Sequence, residues 1–129
     1  MNPIASLSTV LAVALGGAVG SVARYLATLA FAPVAVAFPF ATLVVNVVGA
    51  FLIGVFARLF GGAEADPVLR LALTTGLCGG FTTFSAMSAE TVTLVQQGRA
   101  GRAAMYVLLS LVLGFGATAL GLMVARPRS

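Results

Sequence analysis

An all-α integral membrane protein with four transmembrane helices is the fold class that this sequence predicts, and three observations predict it. Sixty per cent of its 129 residues are hydrophobic and 8% are charged, against about 25% charged in soluble globular chains. The mean hydropathy is +1.13. The charged residues punctuate long uncharged stretches, and each stretch is of membrane-crossing size. A helix needs roughly 20 residues to cross a hydrocarbon core of about 30 Å. Residues 1–129 are therefore expected to form a single transmembrane domain.

The first span is expected from about Ile4 to Phe31, with Arg24 in its second half. Met1-Asn2-Pro3 lacks the positive region and cleavage signal of a secretory leader, so this stretch is expected to remain as a helix. A weakly structured link, residues 32–37, follows. The second span runs from about Pro39 to Leu59, with Pro39 as a start signal, because the first helical turn has no use for the missing N–H. Gly61-Gly62-Ala63-Glu64-Ala65-Asp66-Pro67 joins helix breakers to two of the three carboxylates and reads as a solvent loop.

A third span is expected from about Val68 to Gln97, but residues 74–83 hold three Gly and four Thr, a poor helix sequence. Either a Gly-rich packing seam or a break fits this composition. Unwound backbone in a membrane is tolerated only where protein or water satisfies it. Helix ends at a break offer carbonyls to a small hard cation and N–H groups to an anion. The fourth span, Ala103 to Ala125, is uncharged and ends at Arg126-Pro127-Arg128.

Composition excludes most catalysis. There is no His, and there are one Cys and three carboxylates, so side-chain zinc or iron sites, Cys-His nucleophiles and disulfide frameworks are ruled out. The net charge of +4 comes from seven Arg spread singly, which suits span flanks rather than nucleic acid. With four spans, Arg58, Arg70, Arg126 and Arg128 fall on one side and Arg24, Arg99 and Arg102 nearer the other. The positive-inside rule needs a larger bias to set orientation. Insertion in both orientations is one reading, and misplaced span boundaries are the other.

Polar residues inside spans are the candidates for function. Thr42, Asn46 and Gly49 share one face of the second span; an Asn amide donates hydrogen bonds without charge, which suits an anion that must bind and leave, although such faces also pack helices. Phe84, Met87 and Thr91 share a face beyond the Gly-rich stretch, where a ring edge offers a weak contact to an anion. Glu90, near that span's end, reads as a proton-coupling carboxylate, a polar cap or an Arg partner. Tyr106, Ser110 and Gly114 repeat every four residues in the fourth span. Arg24 either snorkels to the interface or forms an electropositive vestibule.

Three segments, Gly16 to Tyr25, Thr42 to Phe51 and Gly76 to Ser85 with Glu90 following, resemble the signature segments of the Fluc/CrcB fluoride channels. The resemblance implies an antiparallel, dual-topology homodimer in the bacterial cytoplasmic membrane, with a third helix broken mid-membrane and two fluoride pores at the subunit interface. It also implies a structural sodium ion held by backbone carbonyls, which by motif position belong to Gly79 and Thr82. Asn46 matches the family's pore Asn and Phe84 its first anion-facing Phe. The second Phe position is Met87 here. Thr42, Glu90, Tyr106 and Ser110 match the family's polar track, and Arg24 its vestibule Arg. The implied function is passive fluoride export, with fluoride, lipid and a second copy of the chain as partners and no nucleic acid. Two alternatives are a proton-coupled exporter like the small multidrug transporters, for which only Glu90 offers the carboxylate, and a non-transporting assembly subunit.

Overall fold

The computed structural model describes residues 6–35 and 37–126. Ile4, the expected start of the first span, and Arg128 lie outside them. Among the described residues four helical segments are present, the third of them interrupted. Helix α1 spans Leu7–Phe31 and runs into a short 3-10 turn, Ala32–Val34, so the link is partly ordered. Its N-cap is Ser6, whose hydroxyl accepts from the Thr9 N–H at 3.3 Å. Helix α2 spans Phe40–Leu59. Pro39 occupies the position before the first turn instead of lying within it.

The third segment begins at Pro67 with helix α3, Pro67–Leu71. Asp66 caps it, accepting from the Val68 N–H at 2.9 Å, and Pro67 takes the position where proline costs nothing. It continues as a π-helix, Ala72–Cys78, and one more turn, α4, Gly79–Phe81. Thr82 (φ −82°, ψ 158°) and Thr83 (φ −153°, ψ 110°) are then extended. β-Branched residues favour that conformation, so the break falls on the two threonines rather than on the glycines before them. Helix α5, Phe84–Gln96, restarts with the Thr83 hydroxyl accepting from the Ala86 N–H at 3.1 Å.

Helix α6 spans Ala100–Val124 and starts three residues before the expected Ala103. The reason lies in the α5–α6 connection. Gly98, at φ +73°, closes α5: its N–H donates to the Val95 carbonyl at 2.9 Å and the Arg99 N–H to the Leu94 carbonyl at 2.8 Å. This C-terminal motif needs a left-handed residue, which glycine supplies without steric cost. The chain re-enters a helix at once, and Arg102 is accommodated in the first turn by donating from Nη1 to the Ala37 carbonyl at 3.0 Å.

Helix α2 lies along α6, and α1 lies along the π-helical stretch and α4. The second packing is close: a Cβ on Gly20 would sit on the Leu77 carbonyl oxygen, and one on Gly80 on the Gly17 carbonyl. The Gly-rich stretch is thus both a seam and the approach to a break. Among the described residues three helical stretches are long and apolar enough to cross a membrane, Leu7–Val34, Phe40–Leu59 and Ala100–Val124. The third expected span, Val68 to Gln97, is divided by its break into pieces too short to qualify singly.

Candidate functional site

The break leaves backbone groups that a continuous helix would have paired, and inside a membrane each orphan costs several kcal/mol. Side chains from both neighbouring helices meet them. From α2, Asn46 grips the Thr83 peptide with both ends of its amide: Oδ1 accepts from the Thr83 N–H at 2.7 Å and Nδ2 donates to the Thr83 carbonyl at 3.0 Å. From α1, Arg24 Nε donates to the Gly80 carbonyl at 3.0 Å, and the Ser21 hydroxyl reaches the same oxygen at 3.5 Å. Gly49, one turn from Asn46, leaves room for the Thr82 side chain, whose methyl a Cβ would strike. No turn, loop or cap hydrogen bond to the Gly79 or Thr82 carbonyl is found among the described residues.

One turn from Asn46 along α2 stands a second cluster. Glu90 of α5 accepts from the Thr42 hydroxyl at 2.7 Å on one carboxyl oxygen and from the Tyr106 hydroxyl at 2.6 Å on the other. Tyr106 is 0% exposed. Its ring packs edge-on to Phe38 at 5.5 Å, within a core of Leu43, Leu94 and Ala103. Met87 and Val47 border this core. The register is a helical one: Thr42 and Asn46 on α2, Met87 and Glu90 on α5, Tyr106 and Ser110 on α6 are each a single turn apart. The Ser110 hydroxyl donates to the Tyr106 carbonyl at 2.7 Å.

A groove of about 770 Å³ opens beside these residues, lined by Asn46, Thr82, Phe84, Met87, Ser110 and Phe115 among others. Phe84 stands 77% exposed at the first position of α5 and Phe115 74% exposed on α6. Gly79 also lines the groove, and a Cβ there would meet nothing within 4 Å. Every expected site residue except Arg24, Glu90, Thr42 and Tyr106 lies on this groove. The last three form the carboxyl cluster one turn away, and Arg24 is at the break on the α1 side.

Sequence reasoning missed three contacts. It had no partner for Arg24, although Ser21 three residues earlier on the same helical face signalled a polar spot. It treated Asn46 as a free donor, whereas one N–H and the carbonyl are committed to Thr83. It also did not see that both oxygens of Glu90 are occupied by hydroxyls.

Long apolar helices around a broken segment, with polar side chains meeting between them, define a small multi-pass helical membrane protein of the kind that passes solutes through its interior. The family model described as CrcB-like protein, Camphor Resistance (CrcB), matches residues 11–122. A fluoride-specific ion channel FluC from Escherichia coli (strain K12) is 48% identical over 115 residues, which cover 88% of this chain and 91% of that protein. A FluC from Shigella boydii serotype 18 matches at the same identity and coverage. The chain belongs to the CrcB family.

Proposed function

We propose that this protein is a fluoride-selective ion channel that releases cytoplasmic fluoride passively down its electrochemical gradient, and is not an enzyme. The carrying observation is the 48% identity, over most of both chains, to proteins named as fluoride-specific channels. Neutral HF enters cells and dissociates in the more neutral cytoplasm, so the trapped anion accumulates unless a pore lets it out. A small anion is costly to dehydrate, and a path that replaces its water needs uncharged donors at short range. The Thr42 hydroxyl of α2 and the Tyr106 hydroxyl of α6 meet at Glu90, the Ser110 hydroxyl lies one turn further along α6, and Asn46 retains one amide N–H beyond the one given to Thr83. Phe84 adds a ring edge at the groove, and Met87 fills the position below it with bulk but no polar edge. Arg24, held at the break, adds positive potential near the Gly80 carbonyl.

The functional unit in this reading is an antiparallel, dual-topology homodimer in the cell membrane. The exposed Phe84 and Phe115 beside an open groove support it, as does the balanced distribution of Arg. The Gly79 and Thr82 carbonyls fit a sodium ion chemically, being neutral hard oxygens. Two carbonyls are too few for a hard cation, and a second copy would double them. Bound there, sodium would supply fixed positive charge that ties the two breaks together. An exporter coupled through Glu90 is not favoured, since both carboxyl oxygens are engaged by hydroxyls.

Fluoride efflux from liposomes carrying the purified protein, read with a fluoride electrode beside chloride-loaded controls, tests the reading. Fluoride release without chloride release, accelerated by shunting the membrane potential, is expected. Equal release of both ions, or no release from folded protein, contradicts it.

A further inference from the structure

A second cavity, of about 500 Å³, lies at the end of α5 away from the break. Glu90 and Thr42 line it, and Thr93, Gln97 and Arg99 follow over successive turns toward the α5 terminus. This cavity therefore ends on the same Thr42–Glu90–Tyr106 turn that the groove approaches from the other side. Its free donors are few. The Thr93 hydroxyl already donates to the Ala89 carbonyl at 2.9 Å and the Thr28 hydroxyl to the Arg24 carbonyl at 3.0 Å. Arg102, at the same end of the molecule, is committed to Ala37. The Arg99 guanidinium and the Gln97 amide have no hydrogen-bond or ion-pair partner among the described residues, and both residues are exposed.

The position of Arg99 is set by the backbone. Its own N–H closes the C-terminal motif on the Leu94 carbonyl, with Gly98 left-handed beside it. The single carboxyl lining the cavity is Glu90, whose oxygens are already occupied, so it does not draw Arg99 inward as an ion-pair partner. An anion moving toward that carboxyl meets its oxygen lone pairs, and a fixed positive charge at the cavity mouth offsets that repulsion. We infer that Arg99, with Gln97, forms an anion-collecting site at the mouth of this cavity, concentrating small hydrated anions before they reach the Glu90 turn. The inference rests on the fluoride-channel reading and assigns Arg99 a positioning role in it.

Exposed charges act over a Debye length of about 30 Å at 0.01 M salt and about 3 Å at 1 M, and charged mouths raise the rate of ion capture by 10-fold or more, on the order of the steering effects seen elsewhere. Liposome efflux of fluoride is therefore to be compared for wild type, Arg99→Gln, Arg99→Lys and Arg126→Gln at low and high ionic strength set by an impermeant salt. The expected result is a several-fold slower initial flux for Arg99→Gln at low ionic strength, a gap that closes at high ionic strength, and near-complete retention by Arg99→Lys. Arg126→Gln removes the same charge beyond the opposite end of α6 and is expected to lose far less. Wild-type flux from Arg99→Gln at low ionic strength overturns the inference alone. So does an equal loss at both ionic strengths, which marks a structural role at the α5 terminus, or an equal loss in Arg126→Gln, which marks a general surface-charge effect. A wild type that passes no fluoride overturns the channel reading and this inference with it.

Discussion

Two polar clusters sit one helical turn apart on the same face of α2, and they are built from different materials. At Asn46 a side chain is locked onto main chain: a planar amide takes both the N–H and the carbonyl of Thr83. At Thr42 the contacts are between side chains, two rotatable hydroxyls converging on one carboxyl. The first arrangement substitutes for missing helix bonds and has no alternative partner. The second consists of O–H donors that rotate about single bonds and can exchange one acceptor for another. One turn of helix thus separates a group that holds the break from groups suited to handing an ion along.

The largest loss is expected at Asn46. Asn46→Ala orphans two backbone groups at membrane depth, at several kcal/mol each; a marked fall in melting temperature in detergent is expected together with loss of fluoride flux. Next in size is Tyr106→Phe, which removes one of two hydroxyls from Glu90 while keeping the ring that packs on Phe38. A hydrogen bond to an ionisable group is worth about 1.5–3 kcal/mol, and flux per folded protein is expected to drop several-fold. Gly20→Ala drives a methyl into the Leu77 carbonyl, so α1 must shift away from the π-helical stretch, costing about 1–3 kcal/mol as overpacking does; thermal unfolding checks it. The smallest effect is expected from Gly98→Ala, where a Cβ in left-handed backbone costs about 1 kcal/mol, readable as a modest shift in the same unfolding curve.

Much of this was legible in the sequence, for identifiable reasons. Spans follow from uncharged length, and the starts at Leu7, Phe40 and Pro67 lie within a few residues of the expected Ile4, Pro39 and Val68. The early start of α6 was missed because Gly98 closes one helix so tightly that Arg99 and Arg102 need no loop of their own. Composition left a packing seam and a break both open and the family resemblance implied the break, but its position depended on the extended preference of Thr82 and Thr83 together with an Asn 37 residues away in sequence. No local pattern reveals that kind of partner. Glu90 shows the same limit: its place in the chain suggested a span end, while its hydroxyl partners come from two other helices. Side-chain identity and helical period located the polar faces, and the packing of α2, α5 and α6 determined which of them meet.

The hydroxyl cluster is assigned to conduction, whereas the Asn46 carbonyl and one of its N–H groups hold the break and leave a single N–H for the path. Fluoride efflux from liposomes reconstituted with Tyr106→Phe, normalised to folded protein and set beside wild type, addresses that assignment directly. Folded protein with several-fold slower fluoride release and no gain of chloride release is expected. Wild-type fluoride release from Tyr106→Phe would contradict it, and would return the Thr42–Glu90–Tyr106 cluster to the role of packing.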